Sequence, residues 1–388
     1  MKVFQVSSLL PETNYFRYLA SALQDAGVDI TVLADCREEN RRTEVKNVQL
    51  VWKKNSFYPW AVLRACLRGK PDLVHLHHET NLFGGPLTAA IFPLLVLGLR
   101  VCGFRVVTTI HATVSKAEMD TRFLETFSWP PQAFLVPPVR IFFSGLFWLV
   151  GRFSNLCIVH SPHLKSLLVE QYRIPADRLV IIPHGVPDKV QVPSQFPSAA
   201  LWREKIGEDR FILYFGYFHR RKGLEHLIKA FRRAEDKNLK LVLAGGTLQE
   251  DYPPLLENLA GVEGVSQRVV FTGFVSGPEL RWLLDRCQLV VLPATYSIAA
   301  SGPLAQVIAH EKPVIVTRLG VYEAEIEDGV NGLLVEPADV GDLADKINLL
   351  LQDKALYKKV QKGVAKMHRE RAWSRIAQST IEIYRKVL

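Results

Sequence analysis

Short apolar runs alternate with longer helical patterns along almost the whole chain, and this alternation restricts the fold more than any other feature. The first series of runs reads KVFQVSS, DITVLAD, QLVWKK, LVHLHH, RVVTTIHA, LCIVHS and LVIIPHG. The second reads FILYFGYF, KLVLAGG, RVVFTGFV, QLVVLPA, KPVIVTR and GLLVEP. Strands that alternate with helices form parallel sheets covered by helices on both faces. The sequence therefore predicts an α/β fold with two doubly wound, Rossmann-like domains.

A segment rich in proline, serine and charge, VPDKVQVPSQFPSAALWREKIGEDR, separates the two series. It divides the 388 residues into an N-terminal domain, 1–186, and a C-terminal domain, 187–372. The last helix, 373–388, is long and amphipathic, and we expect it to pack back on the N-terminal domain. Two such domains facing a central cleft would collect ligands at the carboxyl ends of both sets of strands.

The overall charge favours an anionic partner. The formal net charge is +9, yet the chain contains no run of five basic residues and no nucleic-acid signature, so we expect no nucleic-acid partner. The five cysteines are scattered, without metal spacing, which is typical of reduced thiols in the cytoplasm. The N-terminus lacks the long apolar core of a signal peptide and predicts a first strand.

A basic turn follows the first strand of the second series, in YFGYFHRRKGLEHLIKAF. Gly216 permits close backbone approach, and His219 to Lys222 precede an amphipathic helix. Cations at the start of a helix are unfavourable because they oppose the helix dipole. A bound anion that compensates their charge would therefore explain their presence there. A solvated basic turn is the alternative explanation.

A second candidate for an anion site lies in SIAASGPLAQVIAHEKPVI. Pro303 suits the first position of a helix, which would leave the N–H groups of Ser301, Gly302 and Leu304 pointing outward. A pyrophosphate held there and by Lys222 or Arg220 would need no metal, and no Asp-x-Asp pair or His/Cys cluster occurs. An ordinary helix capped by Ser301 remains the alternative.

Several segments, in this order, resemble the retaining GT-B glycosyltransferases of family four, the glycosyl transferases group 1. YFGYFHRRKGLEHLIKAF is similar to the family's Gly-x-x-x-x-x-Lys-Gly segment, and FTGFVSGPELRWLLDRCQLVVLPATYS to its ribose-side region. AHEKPVIVTRLGVYEAEIEDGVNGLLVEPADVGDLADKINLLL is similar to its closing region. The resemblance implies transfer of a sugar, with retained anomeric configuration, from a nucleotide diphosphate sugar bound by the C-terminal domain. It implies no cofactor and no obligate metal.

The chain departs from that family at several donor-site positions. Two glutamates eight positions apart are usual, and here Ile298 and Gln306 stand in their places. Gln306 can still hydrogen-bond ribose hydroxyl groups, and the backbone near Ile298 can still contact the sugar. Tyr217 replaces the usual arginine, so positive charge must come from Arg220 or Arg221, and Ser8 stands where the family's donor loop begins. A degenerate nucleotide-sugar-binding partner subunit and a GT-B-fold epimerase therefore remain alternatives.

The site predicted by these arguments draws on both domains. The predicted catalytic residues are His111, Arg220 and Lys222, and the predicted donor-binding residues are Ser8, Gly216, Arg221, Tyr296, Ile298, Ala300, Ser301, Gly302 and Gln306. His111 follows a strand end, where similar enzymes carry a histidine near the sugar and the acceptor. His77 and His78 also follow a strand, and we expect one of them in the core; we interpret His184 as positional.

Two apolar segments bear on the acceptor. Pro86 to Leu99 is too short to span a membrane and predicts a buried helix kinked at Pro93. Residues 136–153, VPPVRIFFSGLFWLVGRF, combine aromatic residues with arginines near both ends. They suit either a bilayer interface or an internal helix against the first sheet. The sequence thus predicts a cytoplasmic enzyme, peripheral on the inner face of the membrane, that glycosylates a glycan or lipid-linked acceptor in cell-surface polysaccharide or glycoconjugate biosynthesis.

Overall fold

The computed structural model describes residues 1–8, 14–37, 45–79, 82–126, 129–193, 196, 199–207, 210–247, 249–296 and 302–388. These residues form two compact units. Of the described residues, the first unit contains those in 1–185 and 373–388, and the second contains those in 186–296 and 302–372. Each has its own parallel sheet and its own core.

The sheet of the first unit follows the order β3-β2-β1-β4-β5-β6-β7, with parallel pairing throughout. Its strands are β1 (Lys2–Val6), β2 (Asp29–Asp35), β3 (Val48–Trp52), β4 (Leu73–His78), β5 (Arg105–Ile110), β6 (Leu156–Val159) and β7 (Leu179–Ile181). The strand order reverses between β1 and β4. In open parallel sheets, the carboxyl edge near such a reversal is where ligands bind.

Helices cover both faces of this sheet. They are α1 (Asn14–Asp25), α2 (Tyr58–Gly69), α3 (Pro86–Ala90), α4 (Phe92–Val101), α5 (Thr121–Thr126), α6 (Val136–Phe153) and α7 (Pro162–Glu170). Helices α2, α4 and α6 bury Val62, Leu95 and Phe147 in the core of one face. Helix α1 buries Phe16 and Leu19 in the core of the opposite face. Both faces of the strands are thus apolar, as parallel sheets require.

The sheet of the second unit has the order β10-β9-β8-β11-β12-β13 and is also parallel. Its strands are β8 (Phe211–Phe215), β9 (Lys240–Ala244), β10 (Val269–Gly273), β11 (Leu289–Leu292), β12 (Val314–Thr317) and β13 (Leu333–Val335). Its helices are α8 (Ala199–Ile206), α9 (Leu224–Phe231), α10 (Tyr252–Val262), α11 (Gly277–Arg286), α12 (Gly302–Ala309), α13 (Gly320–Glu323), α14 (Val340–Gln352) and α15 (Lys354–Arg371). Strands β8 and β11 are neighbours at its order reversal.

The C-terminal helix α16 (Trp373–Val387) belongs to the first unit, where it packs against α1. Trp373, at its start, lies directly on Gly185, and a Cβ atom added to Gly185 would come within 2.4 Å of the indole ring. Tyr384 near its end is fully buried and contacts the ring of His75. The apolar side of α16 therefore completes the core on that face of the sheet.

The predicted α/β class and the two Rossmann-like sheets are confirmed, and each apolar run in the two series contains a strand. The single kinked helix predicted from Pro86 to Leu99 is wrong. Two helices occur there, α3 and α4, separated at Ile91. Pro93 lies in the first turn of α4, where its missing N–H costs nothing, so it begins a new helix rather than bending an existing one.

Candidate functional site

Loops at the carboxyl ends of β8, β9 and β11 meet closely in the second unit. Gly216, after β8, has a φ of +133°, a conformation that favours glycine. A Cβ atom on Gly245, after β9, would lie 1.9 Å from the carbonyl oxygen of Gly216. A Cβ atom on Gly216 would lie 3.9 Å from Pro303 at the start of α12. Small residues therefore let these loops converge beside the start of α12.

The basic turn after β8 is held against the end of β11. Arg220 to Lys222 form one turn of 3-10 helix, and the ring Nδ1 of His219 accepts a hydrogen bond from the N–H of Arg221 at 3.2 Å. The N–H of Thr295 donates to the carbonyl oxygen of Arg221 at 2.9 Å. Gly223 closes the turn with a φ of +69°, and a Cβ atom there would come within 2.1 Å of the carbonyl oxygen of Pro293. The cations are thus fixed to the sheet edge by backbone contacts.

The three cations of this turn differ in their surroundings, which corrects the expectation that all are unpaired. The guanidinium of Arg220 donates to a carboxylate oxygen of Asp251 at 3.1 Å and lies 5.5 Å from the ring centre of Tyr252. Among the described residues, no carboxylate lies within 4.0 Å of Lys222. Burial, and then the neighbouring charge of Arg221, lower the pKa of Lys222. Lys222 is therefore the cation of this turn that an anion would stabilise most.

The second predicted anion site lies at the start of helix α12. Gly302 is its exposed first residue, and Gln306 is half-buried one turn later. Tyr296, after β11, is half-buried. The predicted contacts of Ile298, Ala300 and Ser301 lie outside the described residues and stay predictions.

One exposed aromatic side chain at this edge was not predicted. Phe274 directly follows β10 and is 76% exposed. Its side chain lies 3.7 Å from where a Cβ atom on Gly246 would be, at the end of the adjacent strand β9. A flat, exposed ring at the carboxyl edge of a parallel sheet is suited to stack on a planar ligand group. The signal available in the sequence was its position immediately after the run RVVFTG.

Three histidines meet at the carboxyl edge of the first unit's sheet. His77 lies in β4, His111 follows β5 and His160 follows β6, and these strands are neighbours in parallel register. Nδ1 of His77 lies 3.0 Å from Nε2 of His111, and Nδ1 of His111 lies 3.0 Å from Nε2 of His160. The far nitrogen of His160, Nδ1, lies 3.0 Å from the carbonyl oxygen of Ile182. We call these three residues the histidine chain.

The carbonyl of Ile182 determines the tautomers of the neutral histidine chain. A carbonyl only accepts, so His160 must donate from Nδ1 and accept at Nε2. His111 then donates from Nδ1 and accepts at Nε2 the hydrogen of Nδ1 of His77. This assignment leaves Nε2 of His77 with a bare lone pair, and among the described residues that buried atom has no hydrogen-bond partner. The chain therefore presents His111 with a fixed ring orientation and an accepting Nε2.

Burial keeps the histidine chain neutral. Desolvation lowers the pKa of His77 and of His111 well below the usual value, and the other histidines lower it further. Desolvation also lowers the pKa of His160 to about 3, against a smaller opposing effect of the bond to Ile182. The edge of Tyr15 packs on His111 and His160 at ring-centre distances of 5.0 and 4.8 Å. His111 thus acts as a neutral hydrogen-bonding group near pH 7.

The other histidines near this edge have structural surroundings. His78 and His77 both lie within β4 and are fully buried on its opposite faces, whereas only one of them was predicted in the core. His75 is held by the hydroxyl groups of Tyr384 and Thr109, at 2.6 and 2.7 Å. His184 bonds through Nδ1 to the carbonyl oxygen of Gly185 at 2.8 Å. The histidine chain therefore does not include His75, His78 or His184.

Replacing His78 with phenylalanine is expected to weaken the pH dependence of folding stability. The ring packs between Phe92 and Phe147, and burial lowers its pKa to about 4. Because the unfolded histidine titrates near pH 6.5, the stabilisation is complete above that pH and is lost as pH falls towards 4, about 2 kcal/mol by roughly pH 5. Urea unfolding of His78→Phe should therefore show a smaller decline in unfolding free energy from neutral pH to roughly pH 5. Identical declines in the variant and the original protein would contradict this.

Ser8, a predicted donor contact, is buried at the end of β1 and bonded within its own unit. Its hydroxyl oxygen accepts from the guanidinium of Arg37 at 2.8 Å, and Arg37 also forms an ion pair with Asp35 at 2.7 Å. Burial acts to raise the pKa of Asp35, but the bonds and charge of Arg37, with Ser8, outweigh it and lower that pKa. The pair of Arg37 and Asp35 was not predicted, and it restrains Ser8. Whether Ser8 contacts a donor stays a prediction.

Two family models match consecutive parts of the chain. The model of Glycosyltransferase Family 4 matches residues 13–190, and that of Glycosyl transferases group 1 matches residues 200–367. An uncharacterized glycosyltransferase of Methanocaldococcus jannaschii is 30% identical over 59% of this chain and 59% of its own. The alpha-D-kanosaminyltransferase of Streptomyces kanamyceticus is 26% identical over 81% of this chain and 77% of its own.

Solved structures share this fold over the full length. The structure of Anabaena HepE in complex with UDP matches with a TM-score of 0.74, 18% identity and complete coverage of both chains. The sucrose-phosphate synthase of Thermosynechococcus elongatus matches with a TM-score of 0.74 and 18% identity, over 100% of this chain and 99% of its own. At these identities the likeness concerns the fold, which is of the GT-B type.

Proposed function

Because the chain belongs to the glycosyl transferases group 1 family, we propose that it transfers a sugar, with retention, from a nucleotide diphosphate sugar to a glycan or lipid-linked acceptor. The observation that carries the proposal is the basic turn after β8. Lys222 is held there by the backbone contacts of its turn and has no carboxylate partner among the described residues, and Gly216 of the same strand-end loop lies near Pro303 at the start of α12. A nucleotide sugar is also supported by the structural relative HepE, which was solved with UDP and with UDP-glucose.

The proposed donor site would act mainly by electrostatics. Cleavage of the sugar–phosphate bond places negative charge on the departing diphosphate and positive charge on the sugar ring. Lys222, Arg221 and the first N–H groups of α12 would stabilise the diphosphate without a metal ion. Gln306 would hydrogen-bond the ribose and Phe274 would stack on the base. Arg220 would contribute less, because Asp251 already compensates its charge.

His111 is proposed to orient the transferred sugar or the acceptor. In the neutral chain its Nε2 accepts from His77, so a hydroxyl group of the substrate that donates to it would have to displace the buried Nδ1–H of His77. The low pKa of His111 makes it a weak base, so an orienting role suits it better than the role of a general base. In a retaining reaction the acceptor attacks from the face that the diphosphate leaves, and a diphosphate oxygen can take the acceptor's proton.

The acceptor is proposed to lie at a membrane surface of the cytoplasm, in cell-surface glycan synthesis. All five cysteines are free, which supports a reducing compartment. Helix α6, with the turn before it, is long and apolar enough to span a bilayer by length and composition. Its inner side is buried against the first unit's core, while Ile141 and Trp148 are exposed. The buried side agrees with the predicted internal helix, and the exposed side supports the proposed interfacial acceptor.

A donor panel tests the transferase proposal. The purified protein would be incubated with UDP-, GDP- and ADP-sugars together with a membrane lipid extract, in EDTA, and release of nucleoside diphosphate would be measured. We expect release from one nucleotide class, dependent on acceptor and insensitive to EDTA, and incorporation of the labelled sugar into the extract. Release that requires added Mg²⁺ or Mn²⁺ would contradict the metal-independent mechanism.

Ile298 and Gln306, at the family's two glutamate positions, favour a second candidate, a nucleotide-sugar-binding partner subunit without turnover. A protein solved from Listeria monocytogenes as a proposed UDP-N-acetylglucosamine 2-epimerase has the same fold, with a TM-score of 0.63. Donor binding without any diphosphate release would support the partner subunit. Conversion of the donor to its epimer would support an epimerase. Either result would overturn the transferase proposal.

A further inference from the structure

Helices α2, α4 and α6 form a continuous helical layer without acidic residues. Helix α2 packs against α4 and α4 packs against α6, over one core. Their sequences, YPWAVLRACLRG, FPLLVLGLRV and VPPVRIFFSGLFWLVGRF, contain no aspartate or glutamate. They contain five arginines, which are Arg64, Arg68, Arg100, Arg140 and Arg152. We call this surface the helical layer.

The outward side of each helix in the layer carries exposed apolar side chains two turns apart. Trp60 and Leu67 are 65% and 46% exposed on α2, Leu94 and Val101 are 61% and 77% exposed on α4, and Ile141 and Trp148 are 72% and 48% exposed on α6. A spacing of seven residues places each pair on the same side of its helix. An apolar groove of about 310 Å³ lies on the surface between α2 and α4. Exposed apolar area repeated on three neighbouring helices is typical of a surface that binds a membrane or a protein partner.

An arginine-lined cavity of about 230 Å³ lies at the carboxyl-terminal ends of α4 and α6. Arg100, Arg152 and Arg178 line it, and none of them has a carboxylate within 4.0 Å among the described residues. Nη1 of Arg178 donates to the carbonyl oxygen of Arg152 at 2.7 Å, and Nη1 of Arg100 donates to that of Phe104 at 3.0 Å. Burial, followed by the charges of Arg105 and Arg178, lowers the pKa of Arg100. The guanidinium groups of Arg100 and Arg178 are thus held by backbone carbonyl oxygens, and an anion would relieve the repulsion between their charges.

The cavity is separate from the proposed catalytic residues. Arg100, Arg152 and Arg178 all precede the strands β5, β6 and β7, at the amino edge of the sheet. His111 and His160 follow β5 and β6, at the opposite, carboxyl edge. An anion in this cavity would therefore be neither the sugar donor nor the reacting part of the acceptor.

Neighbouring side chains connect the cavity to the apolar surface. Trp148 lies one helical turn before Arg152, and Val101 directly follows Arg100. Guanidinium groups bind phosphate through paired N–H donors, and tryptophan beside arginine is typical of a lipid–water interface. A protein partner would equally require apolar contact, but the absence of acidic residues over three helices matches an anionic bilayer in particular.

We propose that the helical layer is a docking surface for anionic phospholipid bilayers and that the arginine-lined cavity binds a lipid phosphate. This inference rests on the membrane-peripheral part of the proposed function and adds the surface and the ligand class. The exposed apolar side chains enter the interface, and Arg100, Arg152 and Arg178 hold one headgroup.

Vesicle flotation of the full chain tests this directly, without any activity measurement. We expect binding to vesicles of phosphatidylcholine with one third phosphatidylglycerol, weak binding to pure phosphatidylcholine, and loss of binding in high salt. Arg152→Glu should weaken binding to the anionic vesicles about tenfold, as should the double variant I141S/W148S. Lys359→Glu, the matched control on exposed α15, should bind as the original protein does.

Four outcomes would overturn the proposal. Equal binding to both vesicle types would exclude the anionic headgroup, and unchanged binding by Arg152→Glu would exclude the cavity. Protection by inorganic phosphate or glycerol phosphate in thermal unfolding, without vesicle binding, would identify a free phosphate as the ligand. Self-association without vesicle binding would identify a second copy as the occupant. In a separate measurement with a water-soluble acceptor, Arg152→Glu should release nucleoside diphosphate as fast as the original protein does. Failure of the docking proposal can therefore be distinguished from failure of the transferase proposal.

Discussion

Replacing Lys222 with alanine is expected to lower kcat/KM for the nucleotide sugar about 100-fold or more, since removal of one preorganised charge at a developing anion typically costs that much. The ammonium is partly buried and has no carboxylate partner among the described residues, so its charge is available to a diphosphate. The loss should appear in kcat as well as in KM, because the leaving diphosphate carries more negative charge in the transition state than in the bound donor. Initial rates of diphosphate release over a range of donor concentrations measure both constants.

Arg220→Ala is the matched comparison within the same turn. Asp251 already compensates the charge of Arg220, so we expect a loss of about tenfold or less. Unfolding temperatures of both variants should remain close to that of the original protein, because both side chains are at least partly exposed. A larger loss for Arg220→Ala than for Lys222→Ala would reverse the assignment of the principal cation.

The second large loss of activity is expected when the histidine chain is changed. His111→Ala is expected to reduce kcat about 100-fold, because orientation of the sugar and the acceptor is lost. His160 should act as a positioning residue, through the bonds that it makes to His111 and to Ile182. His160→Phe keeps a ring of similar size but leaves Nδ1–H of His111 buried without an acceptor, so we expect about a tenfold loss of kcat.

His160→Gln separates positioning from packing. A glutamine oxygen can accept from His111 while its amide donates to Ile182, so this variant should recover most of the activity that His160→Phe loses. Nitrogen-15 NMR of labelled histidine should show the Nδ1–H tautomer for His77, His111 and His160 in the original protein and a changed His111 signal in His160→Phe. Equal activity of the phenylalanine and glutamine variants, or an Nε2–H tautomer at His111, would contradict the tautomer assignment.

The strands and the basic turn could be predicted because their signals are local. Apolar runs of four to seven residues, bounded by glycine, proline or charge, identify buried parallel strands without any knowledge of their neighbours. Gly216, Gly223 and Lys222 were recognisable for the same reason, since a left-handed turn and a cation next to it appear in a few consecutive residues.

The contacts that decide the site depend on residues distant in the sequence. The histidine chain joins residues 34 and 49 positions apart, and it forms only because β4, β5 and β6 are neighbours in a particular register. Asp251, which compensates Arg220, lies 31 positions away. The helical layer was predicted only in part: α6 was identified from its own composition, but the matching exposed sides of α2 and α4 require the packing order of the sheet.

The structure with bound nucleoside diphosphate would show whether the proposed donor site is correct. We expect the diphosphate oxygens within hydrogen-bonding distance of Nζ of Lys222 and of the first N–H groups of α12, with the base near Phe274. A nucleotide bound elsewhere, or a diphosphate that leaves Lys222 without contact, would contradict the proposed donor site.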